Sequence, residues 1–504
     1  MAVDLHNRDV ISITDFSREE ILHLCRVGAM MFEKEKSGSR HGFATTLAGR
    51  SLASMFYEPS TRTRTSFHTA IRELGGLSDG FSGTEGTSVM KKETIRDTVT
   101  MMGANHFDVA VMRHPTDGSL QWAADVARIP VINGGDGKNE HPTQALLDLL
   151  TLYVLNGGAL DGLSIGFGGD LSHGRTIRSL SLALSHFDDV RIRWAAEDFL
   201  GMPGDLVSLL EDRGVEVRRE DTVRDVMAGV DYYYMTRPQL ERMPDVTDRD
   251  ISEMMARYRI DLDKVDGFDV KILHPLPVNS DVAEIDYRVY FHGSQAFFRQ
   301  AEFGIFMRKA LLHEILNHEG YIRYGGALLG ELEFGNNRLP RHIRERNEER
   351  MFIDRIHNGT VVDHLAPGSR KAVDEALSLE TRGYTCITAS IKEKRNPFLK
   401  TDLQELAERD LKNIALISPE PTVNYIRNGR VVEKFVYLLC ENENCVTRVV
   451  SEDVPPKFYN DNGTIRCRYC RSPHRVHAGK VTSQELEAYR KSLPQHIEAY
   501  DGVQ

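Results

Sequence analysis

The stretch SLASMFYEPSTRTRTSFHTAIREL, residues 51–74, changes its hydrophobic period halfway along. Ser51 to Tyr57 is a short apolar run with the length and composition of a buried strand. Glu58-Pro59 then turns the chain, and Thr65 to Leu74 places its apolar residues at helical spacing. A strand, a turn and a helix follow one another within this short span. The helix opens on Ser60-Thr61-Arg62-Thr63-Arg64-Thr65. A helix N-terminus presents unpaired N–H groups and the positive end of its dipole. Hydroxyls and two guanidiniums beside those N–H groups make a receptor for a phosphate. The plainer alternative is a capped surface helix with solvated arginines.

The same alternation extends outward in both directions. Ser17 to Glu20 reads as a capping box opening a helix through Leu24 and Met30. Asp108 to Met112, Leu163 to Phe167, Val190 to Trp194, Asp231 to Met235 and Val270 to Leu273 read as further strands. Amphipathic stretches such as Thr143 to Leu155 separate most of them, and this order predicts parallel sheets with helices on both faces. The first part of the chain is therefore expected to form two parallel-sheet α/β domains, residues 1–145 and 146–334. Thr143 to Leu155 bridges them, and Phe303 to Asn317 is a closing helix.

Gly335 to Arg350 is polar, rich in Arg and Glu, and contains Pro340. It reads as a linker over 335–350, with a solvated helix from Arg341 as the alternative. Beyond it, Arg355 to Leu365, Thr385 to Ile391 and Val431 to Leu438 read as strands and Leu403 to Ala415 as a helix. Together they predict a small α+β domain over 351–437. Residues 438–504 hold a cysteine module, expected as a small zinc-ribbon-like β domain with a tail.

Bulk properties exclude several classes. The 504 residues carry a formal net charge of -11, which gives no general affinity for nucleic acid or an anionic membrane. No apolar run approaches the ~20 residues a membrane helix needs. Met1 to Asp15 lacks a signal-peptide core, so a cytoplasmic protein is expected. Of six cysteines, Cys25 and Cys386 stand alone. The other four form Cys440-x4-Cys445 and Cys467-x2-Cys470, spacing that suits a closed, structural four-thiolate zinc site. Such a ribbon can also bind nucleic acid, and Arg466, Arg468, Arg471 and Arg475 would suit it. However, Cys440 to Asp501 holds nine Lys/Arg against nine Asp/Glu, so the module is not basic.

Further motifs sit where strands end. Thr87-Ser88 with Lys91-Lys92 is an anion-friendly loop or simply a solvated one. Arg113-His114-Pro115 ends a strand, where ligands of open α/β sheets gather. His141-Pro142-Thr143-Gln144 opens a helix: the histidine can donate to a carbonyl oxygen and the glutamine can contact an amide, or the segment is only a cap. Gly166-Phe167-Gly168-Gly169-Asp170 invites a dinucleotide reading but has Leu171 at the third glycine position. Arg175, Arg237, Gln239 and the loop His274-Pro275-Leu276-Pro277 complete the set.

In this order the motifs at Ser60–Arg64, Arg113–Pro115, His141–Gln144 and His274–Pro277 resemble the carbamoyltransferase family over about Asp9 to Asn317. The loop at His274, with Arg237-Pro238-Gln239 upstream, is similar to the aspartate-using branch. Gly359-Thr360-Val361-Val362-Asp363-His364, Pro421-Thr422-Val423-Asn424 and the four cysteines resemble the regulatory chain of bacterial aspartate carbamoyltransferase. The resemblance implies that both parts are joined on one polypeptide. It implies that Ser60, Thr61, Arg62 and Thr63 hold the phosphate of carbamoyl phosphate. Arg113 and His141 would grip its carbonyl oxygen and Gln144 its amide. Arg175, Arg237 and Gln239 would bind the carboxylates of L-aspartate, and the backbone of Pro275 and Leu276 the amines. Ser88 and a lysine from Lys91/Lys92 would reach in from a neighbouring subunit of a catalytic trimer. Asp363, His364, Lys400, Asn424 and Lys434 would contact nucleotide effectors of the CTP/ATP type. No organic cofactor is implied.

The chain departs from the family pattern at three places. Lys92 stands directly before Glu93, Val278 replaces a common arginine, and only five residues separate Lys434 from Cys440. The competing readings are another amine acceptor and a catalytically silent nucleotide-sensing partner.

Overall fold

The structure is a computed structural model. It describes residues 3–38, 43–172, 174–238, 253–254, 256–316, 335–340, 359–363, 365–366, 369–377, 399–401, 406–427, 430–476 and 482–493. Its first sheet is built from β1 (Ser51–Phe56), β2 (Leu77–Ser82), β3 (Val109–His114) and β4 (Val131–Asp136). The strand order is β2-β1-β3-β4 and every pairing is parallel. In β1, Leu52, Ala53, Met55 and Phe56 are fully buried, as a central parallel strand covered on both faces requires. Helices α1 (Arg18–Lys36), α2 (Thr61–Glu73), α3 (Ile95–Ala104) and α4 (Ser119–Val126) cover it. The expected capping box is present: Ser17 and Glu20 cap α1 reciprocally.

Helix α5 (Pro142–Leu155) leads out of this layer and is buried along most of its length, with proline in its first turn. The second sheet contains β5 (Ser164–Gly168), β6 (Arg191–Ala195), β7 (Glu216–Arg219), β8 (Tyr232–Met235) and β9 (Lys271–Leu273). It too is parallel, in the order β7-β6-β5-β8-β9. Helix α6 (Arg175–Leu184) follows β5. Helix α7 (Phe297–Leu316) returns to pack on α1, α2 and α5, so one hydrophobic core runs through both sheets.

Two antiparallel sheets follow, formed by β10 (Gly335–Asn336), β11 (Arg338–Pro340), β12 (Gly359–Asp363), β13 (Leu399–Thr401), β14 (Thr422–Arg427), β15 (Arg430–Tyr437), β16 (Lys457–Asp461) and β17 (Thr464–Cys467). Their orders are β11-β15-β14-β12-β13 and β10-β16-β17. The linker expected over 335–350 is corrected at its start. Residues 335–336 pair with β16 and residues 338–340 with β15, so the segment edges both sheets. Its polar composition hid this because an edge strand buries only alternate residues, here Leu339. The possible helix from Arg341, and the strand expected at Thr385 to Ile391, lie outside the described residues. The expected helix at Leu403 starts later among the described residues, at Glu408–Ile417.

The cysteine module does not stand apart from the first sheet. Ile95, Val99, Leu120 and Ala123 of α3 and α4 share a core with Val446, Val454 and Tyr469. Arg468 pairs with Asp125 at 2.6 Å, and Asn442 donates to Asp117 at 2.8 Å. Among the described residues no helix is long and apolar enough to cross a membrane.

Candidate active site and metal centre

In each parallel sheet the strand order reverses beside its first strand, and ligand crevices of open α/β sheets lie at the carboxyl ends there. These ends carry the residues singled out above. Beyond β1, α2 begins at Ser60, whose side chain makes no capping bond, leaving the first N–H groups of the helix available. Helix α2 turns Thr63, Phe67, Ala70 and Ile71 inward and leaves Arg62 facing the crevice mouth. Arg62 Nη2 donates to the Leu276 carbonyl at 2.7 Å, joining the first sheet to the loop after β9. Partial burial, with the nearby charges of Arg113 and Arg237, holds its guanidinium below its ordinary value. Three guanidiniums thus lie within electrostatic range of one another, an arrangement suited to anionic ligands.

Thr63 Oγ1 and His141 Nε2 lie 3.4 Å apart, and Thr143 Oγ1 lies 3.4 Å from His141 Nδ1. His141 is buried at the start of α5. Arg113, at the end of β3, approaches Glu58 at 3.3 Å and the Gly134 carbonyl at 3.4 Å. Its neighbour His114 is pushed down to about 4 by burial and accepts from the Thr116 amide, so it serves the turn as a neutral ring.

On the second sheet, Gly169 has φ +91 and an added Cβ would lie 2.0 Å from the Thr236 carbonyl. Only glycine lets the ends of β5 and β8 come this close. Arg237 follows β8, and Arg175 opens α6. The Arg175 side chain and Gln239 lie outside the described residues, as does His173. His274 is buried after β9; its Nδ1 accepts from the Leu276 amide at 2.8 Å and its Nε2 lies 3.2 Å from Glu284. Burial holds its pKa below the ordinary histidine value, so His274 is a neutral brace of the loop. Pro275 and Leu276 are half-buried, and Leu276 has φ +55.

The structure also shows residues the sequence did not point to. Asp148, fully buried on α5, accepts from Gln144 at 2.9 Å, Gln300 at 2.6 Å and Tyr234 at 2.8 Å. Gln300 Oε1 in turn accepts from the His274 amide at 2.8 Å. This network ties Gln144 to β8, β9 and α7. Burial pushes the Asp148 carboxyl up to about 7, against the pull of its three donors and of Arg308. An Asp three or four residues from a Gln on a helix looks like ordinary surface pairing, and no sequence signal distinguished it.

Ser88, Lys91 and Lys92 are not gathered into this crevice in the same way. They lie exposed on a 3-10 turn, Ser88–Lys91, with Lys92 left-handed at φ 66.

The thiols of Cys440, Cys445, Cys467 and Cys470 are all buried and lie within 4.8 Å of one another. Two of the separations are 3.5 Å (Cys440–Cys470) and 3.8 Å (Cys445–Cys467). Disulfides would need about 2.05 Å. A tetrahedron with metal–sulfur bonds of ~2.3 Å has edges of about 3.8 Å, so the four thiols fit one thiophilic ion.

In the five-stranded antiparallel sheet the register places Lys400, Val361, Asn424 and Lys434 in one row across β13, β12, β14 and β15. Asn424 donates to the Val361 carbonyl at 3.1 Å. The side chains of Asp363 and Lys400, and all of His364, lie outside the described residues.

Comparison with known proteins fits this geometry. The carbamoyl-P binding domain of aspartate/ornithine carbamoyltransferase matches residues 8–154, and the Asp/Orn binding domain of the same family matches residues 161–315. The first two sheets therefore belong to the carbamoyltransferase class. The allosteric domain of the aspartate carbamoyltransferase regulatory chain matches residues 351–437, and its metal binding domain residues 430–478. The aspartate carbamoyltransferase catalytic subunit of Thermococcus kodakarensis is 41% identical over 312 residues, covering 62% of this chain and 97% of that protein. That of Pyrobaculum neutrophilum is 42% identical over 309 residues, covering 61% and 98%. The catalytic subunit of M. jannaschii aspartate transcarbamoylase superposes with TM-score 0.58 at 36% identity, covering 62% of this chain and 100% of that one. The Trypanosoma cruzi enzyme in complex with carbamoyl phosphate and aspartate does so with TM-score 0.56 at 34% identity, covering 62% and 96%. The chain belongs to the aspartate carbamoyltransferase family, with catalytic and regulatory domains on one polypeptide.

Proposed function

We propose that this chain transfers the carbamoyl group of carbamoyl phosphate to the amino group of L-aspartate, giving N-carbamoyl-L-aspartate and phosphate. The observation that carries the reading is the convergence of Arg62, Arg113 and Arg237 at the facing ends of two sheets, beside the open N-terminus of α2. Two anionic substrates need such donors. The N–H groups at Ser60–Thr63 and the Arg62 guanidinium hold the phosphate. Arg113, His141 and Thr63 donate to the carbamoyl oxygen, Gln144 holds the amide, and Arg175, Arg237 and Gln239 hold the carboxylates. The backbone at Pro275 and Leu276 receives the amines.

The aspartate nitrogen attacks the carbamoyl carbon, and a C–N bond forms as negative charge gathers on the oxygen. Donors aimed at that oxygen lower the barrier most, and holding both substrates in attack geometry supplies the rest. The C–O bond to phosphate then breaks, and the departing phosphate takes the proton lost by nitrogen. No protein nucleophile is required.

Ser88 and a lysine from Lys91/Lys92, being exposed, are assigned to a neighbouring subunit's site in a catalytic trimer. Three regulatory pairs joining two trimers would give a hexamer of fused chains. We assign the metal as zinc, with a structural role, and the row Lys400, Asn424, Lys434 to a nucleotide triphosphate. Strand β15 runs from Lys434 toward Cys440. Lys412, from the regulatory helix, donates to the Val449 carbonyl at 3.1 Å. Both link the effector sheet stiffly to the metal module.

The test is product formation from carbamoyl phosphate by the purified chain with aspartate and ornithine as parallel acceptors, with and without CTP or ATP. Carbamoyl-aspartate alone is the expected product. Turnover with ornithine, or none with either acceptor from folded, metal-loaded protein, overturns the assignment.

A further inference from the structure

His141 ends the short turn after β4, residues 137–140, whose far side lies against the cysteine module. The residue before it, Glu140, is 4% exposed. Its carboxylate accepts from the Ser12 hydroxyl at 2.6 Å and the Ile13 amide at 3.0 Å. Among the described residues the cation in ion-pair range of Glu140 is Arg471, at 3.8 Å. Burial raises the Glu140 carboxyl above its usual range, and the charge of Arg471 is the largest opposing influence.

Arg471 directly follows the metal-ligand pair Cys467 and Cys470. It is held in the left-handed region, φ 59, with its amide donating to the Cys467 carbonyl at 2.9 Å. Its guanidinium also reaches Ser12 at 2.6 Å, Asp15 at 3.0 Å and Thr14. The folded module therefore fixes where this charge stands. A second contact grips the same turn. Asp117 accepts from Asn442, Asn444 and the Lys138 amide. Gly137, at φ +43, passes so close that an added Cβ would lie 1.8 Å from the Asp117 carboxylate.

Across the turn, Asp136, the last residue of β4, accepts from the Glu140 amide at 3.2 Å and donates its own amide to the Glu140 carbonyl at 3.3 Å. A displacement of Glu140 thus carries the turn and the His141 backbone with it. A buried carboxylate that loses its counter-ion must protonate or move toward water.

We propose that Arg471 is a positioning residue for carbamoyl transfer: the cysteine module holds this guanidinium against Glu140 and so sets the placement of His141. The inference rests on the reaction assigned above. It makes the metal module a part of the catalytic geometry as well as a carrier of regulation.

The test is a double-mutant cycle in the full chain with Arg471→Ala, Glu140→Gln and both together. Arg471→Ala is expected to lower kcat/KM for carbamoyl phosphate about tenfold or more, the scale of a small misplacement of reacting groups. Glu140→Gln needs no counter-ion, so the double variant should recover to within about threefold of Glu140→Gln alone. A role confined to anchoring the module predicts no such rescue. Reactivity of the four thiols toward a thiol reagent, expected to stay low, shows that the module remains folded. If Arg471→Ala exposes them, Arg471→Gln takes its place, keeping a polar hydrogen-bond donor but not the charge. Direct calorimetric binding of carbamoyl phosphate to the same proteins needs no turnover. Failure of the reaction assignment and failure of the coupling are therefore separate results. An Arg471 variant within about twofold of the unaltered chain, or a double variant as impaired as Arg471→Ala, overturns the proposal.

Discussion

Asp148→Asn should make the chain more stable at neutral pH and less active. Burial pushes the Asp148 carboxyl from its usual 3.8 up to about 7. A raised acid keeps its proton in the folded chain after the unfolded chain has released it. Its stabilising contribution is therefore complete below about pH 4 and is lost as pH rises through about 7. Holding the ionised carboxylate there costs about 4 kcal/mol at neutral pH, with no solvent screening at a fully buried group. Asparagine removes that cost. Its oxygen can keep both glutamine donors, at 2.9 and 2.6 Å, while its NH2 must face the Tyr234 hydroxyl. Rearranging that one bond costs about 1 kcal/mol. The net gain at pH 7 is then about 3 kcal/mol, fading to a loss of about 1 kcal/mol near pH 4. Of the two tryptophans, Trp194 sits on β6, so urea unfolding followed by its fluorescence in a Trp122→Phe background reads this region. An Asp148→Asn chain less stable than its parent at pH 7, or a difference that does not change with pH, would refute the reasoning.

Other expectations concern the site and the metal. Arg62→Ala should lower kcat/KM about 10²–10³-fold in carbamoyl-aspartate formation, and Arg62→Lys should recover little because the fork geometry is lost; near-normal turnover in either would remove Arg62 from the phosphate seat. Glu284 is fully buried and accepts from the Asn279 amide at 3.1 Å and faces His274 at 3.2 Å. Glu284→Ala should loosen the loop 274–279 and raise KM for aspartate about tenfold, more than it lowers kcat; an unchanged KM would show that the loop is held elsewhere. Cys467→Ser should release the metal and weaken the core shared with the first sheet. Trp122, whose ring lies 6.5 Å from Tyr469, should then shift its emission to longer wavelength; an unshifted spectrum in metal-free protein would contradict the docking.

Much of the crevice was legible because parallel α/β sheets place their ligand residues at strand ends, where turns and helix starts leave local marks. Ser60 to Arg64, Arg113, His141 and His274 carry such marks, and the structure brings Arg62, Thr63, Arg113, His141, Arg237 and Leu276 to one place. Strands β2, β4 and β7 carry little alternation or contain glycines and acids, and periodicity passed over them. The short strands in the expected linker were hidden because their partners lie about a hundred residues away.

The sequence alone determined the alternation of strands and helices, the hydroxyl- and guanidinium-rich start of α2 and the cluster of four cysteines. Each depends on residues adjacent in the chain or on a spacing that chemistry reads directly. Tertiary structure alone decided the polar hub at Asp148, the brace of Glu284 on His274 and the grip of Arg471 on Glu140. These are single charged residues whose role depends on burial and on partners far away in the chain. A lone Asp, Glu or Arg reads as a solvated surface residue until folding removes the water around it and makes its pairing strong.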